Sequence, residues 1–279
     1  MQPAKISLPY FDLVLERLAA GDAQVQQIFG NHVHWGYWEN PAQADGSVVD
    51  FVAAAEQLTQ RVYSAAGVKD STRLLDVGCG FGGTIASLNE KFQNMDLIGL
   101  NIDARQLAIA KQQVQHRNNN QIEFVEGDAC RLPFPDASFD IVLAVECIFH
   151  FPSRVDFFRE VKRVLRPGGR LAISDFVPIS LVYPFHPFLA KFGDYLVTST
   201  YGRVNTEFSI DDYEKLAKVS GFSLTFKEDI TENTLPTYPV VRNLFEQIGR
   251  MDSVVVTGMI ELLSRLELLR YLVLSFTIC

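Results

Sequence analysis

Two periods of apolar residues alternate through the middle of the chain. Short apolar runs, which are typical of buried strands, occupy 73–77, 96–101, 122–128, 139–146 and 170–176. The longer period of amphipathic helices marks 84–92, 104–117 and 154–165. Because strand and helix alternate at spacings that suit β-α-β crossovers, the pattern predicts an α/β fold with a Rossmann-like, doubly wound, mostly parallel sheet.

The pattern changes on both sides of this core. Helical periodicity at 10–30 and 47–66, the second stretch after a Ser47 N-cap, predicts an N-terminal helical segment. Beyond the core, a helix is predicted at 211–222. Two further strands, which bring the sheet to seven, are predicted at 223–228 and 270–278.

The alternation pauses after Phe176. Residues 177–207 carry six aromatic side chains and three prolines, and predict an insertion that covers the strand ends as a lid. We therefore divide the chain into a helical cap, a core, the lid insertion and a C-terminal part of the core sheet and helices. These parts span 1–66, 67–176, 177–207 and 208–279.

Composition narrows the class of protein. The 48% of hydrophobic residues is ordinary for a globular chain, and the formal charge of −8 argues against a nucleic-acid partner, which needs a basic surface. Four scattered cysteines show neither disulfide nor zinc spacing, and no metal site is indicated. The N-terminus lacks the form of a signal peptide, and the apolar runs are too short to span a membrane. We expect a cytoplasmic protein, either a monomer or a homodimer.

A glycine loop follows the first core strand. In LLDVGCGFGGT, Gly78, Gly80 and Gly83 fit GxGxxG, a pattern that also suits dinucleotide-binding enzymes. Asp76 argues against a dinucleotide ligand, because a carboxylate at the strand end suits a ligand ammonium group and repels a pyrophosphate. Asp128 follows the third strand, where it can accept a hydrogen bond from an exocyclic amine of adenine.

Several ordered segments carry a family resemblance. DVGCGFGG, GLNIDARQ, EGDACRLPFPDASFDIV and VLRPGGRLAISDF resemble the successive motifs of class I S-adenosylmethionine-dependent methyltransferases. HVHWGYWE and DITENTLPT resemble the small-molecule branch, which includes tocopherol, ubiquinone-type and natural-product methyltransferases. The resemblance covers roughly residues 30–278 and implies S-adenosylmethionine as cofactor and S-adenosylhomocysteine as product.

The resemblance also implies roles for individual residues. Asn101 stands where many relatives carry an acidic residue for the ribose hydroxyls, and Gln106 is a candidate helper. The residues expected to bind the cofactor are Tyr37, Asp76, Gly78, Gly80, Asn101, Gln106, Asp128, Ala129 and Glu146.

Methyl transfer from a sulfonium is an in-line displacement that depends mainly on alignment, with a base only where the acceptor must lose a proton. His150, just beyond the fourth strand, is the expected base, and Asp175 at the end of the fifth is expected to orient it or to bind a hydroxyl. The aromatic segments predict a hydrophobic small-molecule acceptor. The residues expected to contact this acceptor are Trp38, Phe149, Phe185, His186 and Tyr195.

Four functions stay open at this point. The first is methyl transfer to an oxygen or nitrogen of a hydrophobic or aromatic natural-product-type molecule. The second is carbon methylation of a prenylated aromatic ring or a lipid, and the third is binding of S-adenosylmethionine without transfer. A nicotinamide dehydrogenase is the fourth, and Asp76 disfavours it.

Overall fold

A seven-stranded sheet forms the centre of the structure, a computed structural model that describes residues 8–180, 197–205 and 207–279. The strands are β1 (Arg73–Val77), β2 (Asp96–Asn101), β3 (Gln121–Glu126), β4 (Phe139–Val145), β5 (Leu165–Pro178), β6 (Phe222–Asp229) and β7 (Leu269–Ile278). Their order across the sheet is β3-β2-β1-β4-β5-β7-β6, and β7 runs antiparallel to both of its neighbours. The predicted doubly wound, mostly parallel fold is confirmed.

Helices cover both faces of this sheet. They are α1 (Pro9–Ala19), α2 (Ala23–Phe29), α3 (Val48–Ala65), α4 (Gly83–Lys91), α5 (Ala104–Gln113), α6 (Arg154–Val164), α7 (Ile210–Ser220), α8 (Thr231–Thr234), α9 (Thr237–Gln247) and α10 (Met251–Arg265). In the part of the chain that the structure describes, no helix is both long and apolar enough to cross a membrane.

Alternate residues of β1 supply two separate cores. Leu75 packs in one cluster with Phe157 of α6, whereas Leu74 packs in the opposite cluster with Leu58 of α3 and Ile85 of α4. Both faces of the central strands are therefore buried, which explains why these strands appear in the sequence as continuous apolar runs.

The N-terminal helices lie over the glycine loop. Phe11 of α1 meets Phe81 of the loop edge-to-face, with ring centroids 5.9 Å apart. Asp12 of α1 pairs with Arg105 of α5 at 2.7 Å. These contacts hold α1 across the carboxyl ends of β1 and β2.

Several elements differ from the prediction. The helical stretch at 10–30 is two helices, because Gly21 adopts φ +75° and Asp22 caps α2 through the main-chain N–H groups of Gln24 and Val25. Strand β5 begins at Leu165, before the Pro-Gly-Gly expected to precede it. Helices α8 to α10 had not been predicted individually; α10 exposes apolar residues such as Met251 and Val255, which blurs its helical period.

Candidate functional site

A cavity opens at the carboxyl ends of β1, β2 and β4, beneath α1. It holds about 900 Å³ of empty space, counting its open mouth. The structure brings many of the expected residues to its lining, namely Asp76, Gly78, Gly80, Asn101, Gln106, Asp128, Ala129, Glu146 and His150.

The glycine loop forms one wall of this cavity. The N–H groups of Gly78 and Cys79 both donate to the Leu100 carbonyl, at 2.8 and 3.1 Å, and so attach the loop to β2. Gly78 has φ +75°, and a Cβ there would lie 2.8 Å from the Cys147 side chain. Only glycine fits this position without displacing its neighbour.

Asp76 lies at the base of the cavity with 1% of its surface exposed. Its Oδ2 has no hydrogen-bond partner among the described residues. Burial raises the pKa of this carboxyl to about 8. An orphaned buried carboxylate facing a cavity fits a ligand that supplies a positive charge and N–H donors, as an ammonium group does.

Asn101 and Gln106 form a pair at the next strand end. The Asp103 main-chain N–H donates to Oδ1 of Asn101 at 3.0 Å, which fixes the orientation of the amide. Asn101 Nδ2 then donates to Gln106 Oε1 at 2.9 Å. One N–H of Asn101 remains for a ligand, whereas a carboxylate here would offer only acceptors.

Asp128 and Ala129 complete this side of the cavity. Asp128 is half-buried, and its Oδ1 accepts from the Cys130 main-chain N–H at 2.8 Å, which orients the carboxylate. Ala129 is buried beside it. Together they present one acceptor and a small apolar surface, a combination that suits a planar base carrying an amine.

Glu146 is held in an unusual way at the end of β4. Its backbone has φ +49°, the left-handed region that side-chain-bearing residues rarely adopt. The Trp35 main-chain N–H donates to both of its oxygens, at 3.2 and 3.0 Å, and the Tyr271 hydroxyl donates to Oε2. Burial raises the pKa of Glu146 to about 8, although these hydrogen bonds act in the opposite direction.

His150 faces the cavity as a neutral imidazole. Its Nδ1 lies 3.2 Å from the Arg203 carbonyl, so Nδ1 carries the proton and donates. Nε2 is therefore the acceptor for the Tyr10 hydroxyl at 3.3 Å. Burial lowers the pKa of His150 to about 4.

Three expected site residues lie elsewhere. Asp175 is fully buried behind the sheet, where Arg154 Nη2 at 2.8 Å and the Tyr213 hydroxyl both donate to it, and it does not line the cavity. Trp38 packs on Phe51 and donates its Nε1 to Asp50 at 2.8 Å, away from the cavity. Tyr37 is also outside the lining, with its ring 5.8 Å from the Arg61 guanidinium.

The remaining acceptor residues are only partly described. Phe149 is half-buried, with its ring 5.9 Å from Phe176 and 4.5 Å from His150, but it is not part of the cavity lining. Phe185, His186 and Tyr195 lie outside the described residues.

Two histidines of the lining, His32 and His34, were not among the residues predicted from the sequence. His34 Nδ1 donates to the Trp35 carbonyl at 2.8 Å, and burial lowers the pKa of His34 to about 3. His32 Nε2 lies 3.1 Å from a Glu56 oxygen. Their i, i+2 spacing in an extended segment, which directs both side chains to one face, was the available signal.

The charge of the lining is one-sided. Asp76, Asp128 and Glu146 are acidic, whereas no lysine or arginine belongs to the lining formed by the described residues. Across the same described ranges, no group of three or more His, Cys, Asp or Glu side chains is arranged to hold a metal ion.

Comparison with known proteins gives concordant matches. The family described as "Methyltransferase domain" matches residues 75–173. The "Methyltransferase GfsG" of Streptomyces halstedii is 33% identical over 238 residues, which cover 85% of this chain and 80% of that protein. The "27-O-demethylrifamycin SV methyltransferase" of Amycolatopsis mediterranei is 30% identical over 223 residues, covering 80% and 78%.

A solved structure has the same fold. The mycolic acid cyclopropane synthase CmaA1, crystallised with S-adenosylhomocysteine and CTAB, superposes with a TM-score of 0.78. The match covers 97% of this chain and 99% of that one, at 16% sequence identity. The likeness extends over the N-terminal helices as well as the sheet.

Proposed function

Because this chain belongs to the class I S-adenosylmethionine-dependent methyltransferases, we propose that it methylates a hydroxyl oxygen of an uncharged, largely apolar natural product. The observation that carries the proposal is the cavity itself. It combines an orphaned buried carboxylate, Asp76, with a lining that lacks lysine and arginine among the described residues.

The proposed cofactor contacts follow the chemistry of the lining. Asp76 would pair with the ammonium group, and Gly78 and Gly80 leave room for the methionine chain. Asn101 would bind the ribose, and Asp128 the adenine amine. When bound, S-adenosylmethionine supplies a methyl group on a sulfonium whose leaving group is a neutral thioether.

The charge of the cavity supports a neutral acceptor. The pKa values of His34 and His150, lowered by burial to about 3 and about 4, keep both imidazoles uncharged at neutral pH. A phosphate or carboxylate on the acceptor would meet acidic side chains without a compensating cation in the described lining. Relatives with O-methylation in their names favour a hydroxyl as the acceptor group.

His150 was the expected base, and its environment makes it a weak one. The imidazole is neutral and so able to accept a proton, but a pKa of about 4 gives little driving force for that transfer. Its Nε2 also already accepts from Tyr10. We propose that His150 and Tyr10 position the acceptor rather than remove its proton.

The test uses 13C-methyl-labelled S-adenosylmethionine with the purified protein and a panel of neutral hydroxylated natural products. Each neutral compound of the panel is matched with a phosphorylated or carboxylated analogue. We expect a 13C-methoxy signal in the NMR spectrum of at least one neutral compound and none for its charged analogue. A new carbon-bound methyl group would favour the C-methylation alternative. Cofactor binding without transfer across the panel would favour a binding protein.

A further inference from the structure

Glu146 stands between two regions of the site. On one side it neighbours Cys147, whose side chain packs against Gly78 of the glycine loop. On the other side lies a set of aromatic residues that we call the aromatic wall: Trp35, Phe176, Tyr201, Tyr238 and Tyr271. The carboxyl group therefore lies between the glycine loop and a cluster of packed aromatic rings.

The carboxylate of Glu146 keeps unused acceptor capacity. Oε2 accepts from the Trp35 main-chain N–H and from the Tyr271 hydroxyl, but among the described residues Oε1 accepts only from Trp35, at 3.2 Å. Two carboxylate oxygens together offer about four acceptor positions. Glu146 lines the cavity, so Oε1 is available to a hydroxyl placed there.

The backbone and its neighbours fix this carboxylate. The left-handed φ of +49° is constrained by the Glu146 N–H, which donates to Ser174 Oγ at 3.0 Å. Ser174 Oγ in turn lies 3.2 Å from the Tyr271 hydroxyl that holds Oε2. A side chain held through both its backbone and its carboxylate needs little rearrangement to react.

From this arrangement we propose that Glu146 is a catalytic residue whose carboxylate accepts the proton of the acceptor hydroxyl. The proposal rests on the proposed function above. As the acceptor O–H bond breaks, its proton moves to Oε1 of Glu146, and the oxygen electron pair forms the new O–C bond. The electrons of the broken S–C bond remain on the sulfur of the departing thioether.

Groups around Glu146 do not compete for this role. Burial raises the pKa values of Tyr10, Tyr201, Tyr238, Tyr271 and Cys147, so these groups stay protonated at neutral pH. Asp175 influences Glu146 electrostatically, but it points to the other face of the sheet, where it is paired with Arg154. A cationic ligand in the cavity would favour the ionised form of Glu146, the form that accepts a proton.

The first test compares Glu146→Gln with His150→Gln on an acceptor that the wild type methylates. We expect kcat to fall about 10²- to 10⁴-fold in Glu146→Gln, the usual size of a general-base effect, and less than tenfold in His150→Gln. The rise of kcat with pH at saturating S-adenosylmethionine should disappear only in Glu146→Gln. A far-UV circular dichroism spectrum that matches that of the wild type shows that each variant is folded. A Glu146→Gln kcat within threefold of the wild type would overturn the proposal.

A second test needs no acceptor. Calorimetric titrations at pH 7 in buffers of different ionisation enthalpy count the protons released when each ligand binds. The ammonium group, which both ligands carry, ionises Asp76, whereas only S-adenosylmethionine adds a sulfonium. We expect the wild type to release more protons with S-adenosylmethionine than with S-adenosylhomocysteine, and Glu146→Gln to lose that difference. An unchanged difference would exclude Glu146, whereas failure of the wild type on every acceptor would count against the proposed function alone.

Discussion

The face of the sheet on which a strand-end side chain lies depends on its position along the strand. Neighbouring residues of a strand point to opposite faces, so a residue can stand at the right end and still face away from the site. Ser174 contacts Glu146 on the cavity side, whereas Asp175, the next residue, points to Arg154 on the other face. The sequence predicted that Asp175 ends a strand but not which face it occupies.

A contact between residues that are far apart in the chain could not be predicted from the sequence. Tyr10 meets His150 across 140 positions, and only the packing of α1 over the cavity creates that contact. Nothing local to Tyr10 signals it, because its neighbours carry an ordinary amphipathic pattern. By contrast, Asp76 and the loop glycines could be placed at the carboxyl end of β1 from the sequence, since both their strand and their motif are local.

Removing the charge of Asp76 should weaken cofactor binding. With Asp76→Asn we expect the Kd for S-adenosylhomocysteine to rise about 10- to 100-fold, the range for a hydrogen bond to a charged group. Isothermal titration at pH 7 measures it, with Asp136→Asn as the control, because Asp136 is exposed and pairs with Arg163 at the surface. Equal affinities for the wild type and Asp76→Asn would contradict the role given to this carboxylate.

A buried ion pair between Arg154 and Asp175 joins α6 to β5 outside the cavity lining. Arg154 of α6 is 3% exposed; it donates to Asp175 of β5 at 2.8 Å, to the Tyr213 hydroxyl of α7 at 3.0 Å and to the Asn205 carbonyl at 3.1 Å. Asn205 in turn donates its N–H to the Phe149 carbonyl, next to His150. The pair therefore fixes the segment that carries Arg203, whose carbonyl sets the tautomer of His150.

Breaking this pair should affect stability far more than binding. Asp175→Asn leaves the buried Arg154 charge uncompensated, which we expect to lower the free energy of unfolding by about 3–5 kcal/mol. The Asp175→Leu, Arg154→Met double variant should recover most of that loss, since no charge remains buried. Urea denaturation measures stability, and titration should show that S-adenosylhomocysteine affinity stays within threefold. A large loss of S-adenosylhomocysteine affinity at unchanged stability would show instead that Asp175 contributes to ligand binding.

At the scale of the whole molecule, buried titratable groups make stability depend on pH. Burial raises the pKa values of Asp76 and Glu146 to about 8, so the unfolded chain releases these two protons well below the pH at which the folded protein does. Burial lowers the pKa values of His34 and His150. Below about pH 6.5 the unfolded chain therefore binds protons at these two histidines that the folded protein does not bind. Between about pH 4.5 and 6.5 the carboxyl groups lower the stability as the pH rises, whereas the histidines raise it. Above about pH 6.5 only the carboxyl groups change the stability.

We therefore expect the ligand-free protein to lose about 3 kcal/mol of stability between pH 6.5 and 8. Each group contributes at most about 1.4 kcal/mol per pH unit, and this slope falls as the pH approaches the folded-state pKa of about 8. Chemical denaturation at the two pH values measures the change. The Asp76→Asn, Glu146→Gln double variant should show a much flatter dependence. An equal or greater stability of the wild type at pH 8 would show that these carboxyl groups already ionise at lower pH.

The overall architecture was the most predictable property of the chain. Short apolar runs alternating with amphipathic helices specify a parallel sheet whatever the loops do. A helix separates each pair of consecutive strands from β1 to β5 except β3 and β4. The cap helices and α8 to α10 were harder to foresee. Their apolar residues pack against parts of the fold that are remote in sequence. Val240 and Leu244 of α9, for example, belong to the same buried cluster as Phe11 and Phe81.

Strand β7 is the last strand in chain order, yet it lies inside the sheet, between β5 and β6. A chain leaving the ribosome can pair β1 to β5 early, but β6 has no neighbour until β7 has been synthesised. Tyr271, on β7, reaches Glu146 across 125 residues. During translation the glycine loop is therefore synthesised long before Tyr271, whose hydroxyl holds Glu146. A chain that stalled before β7 would lack that hydroxyl.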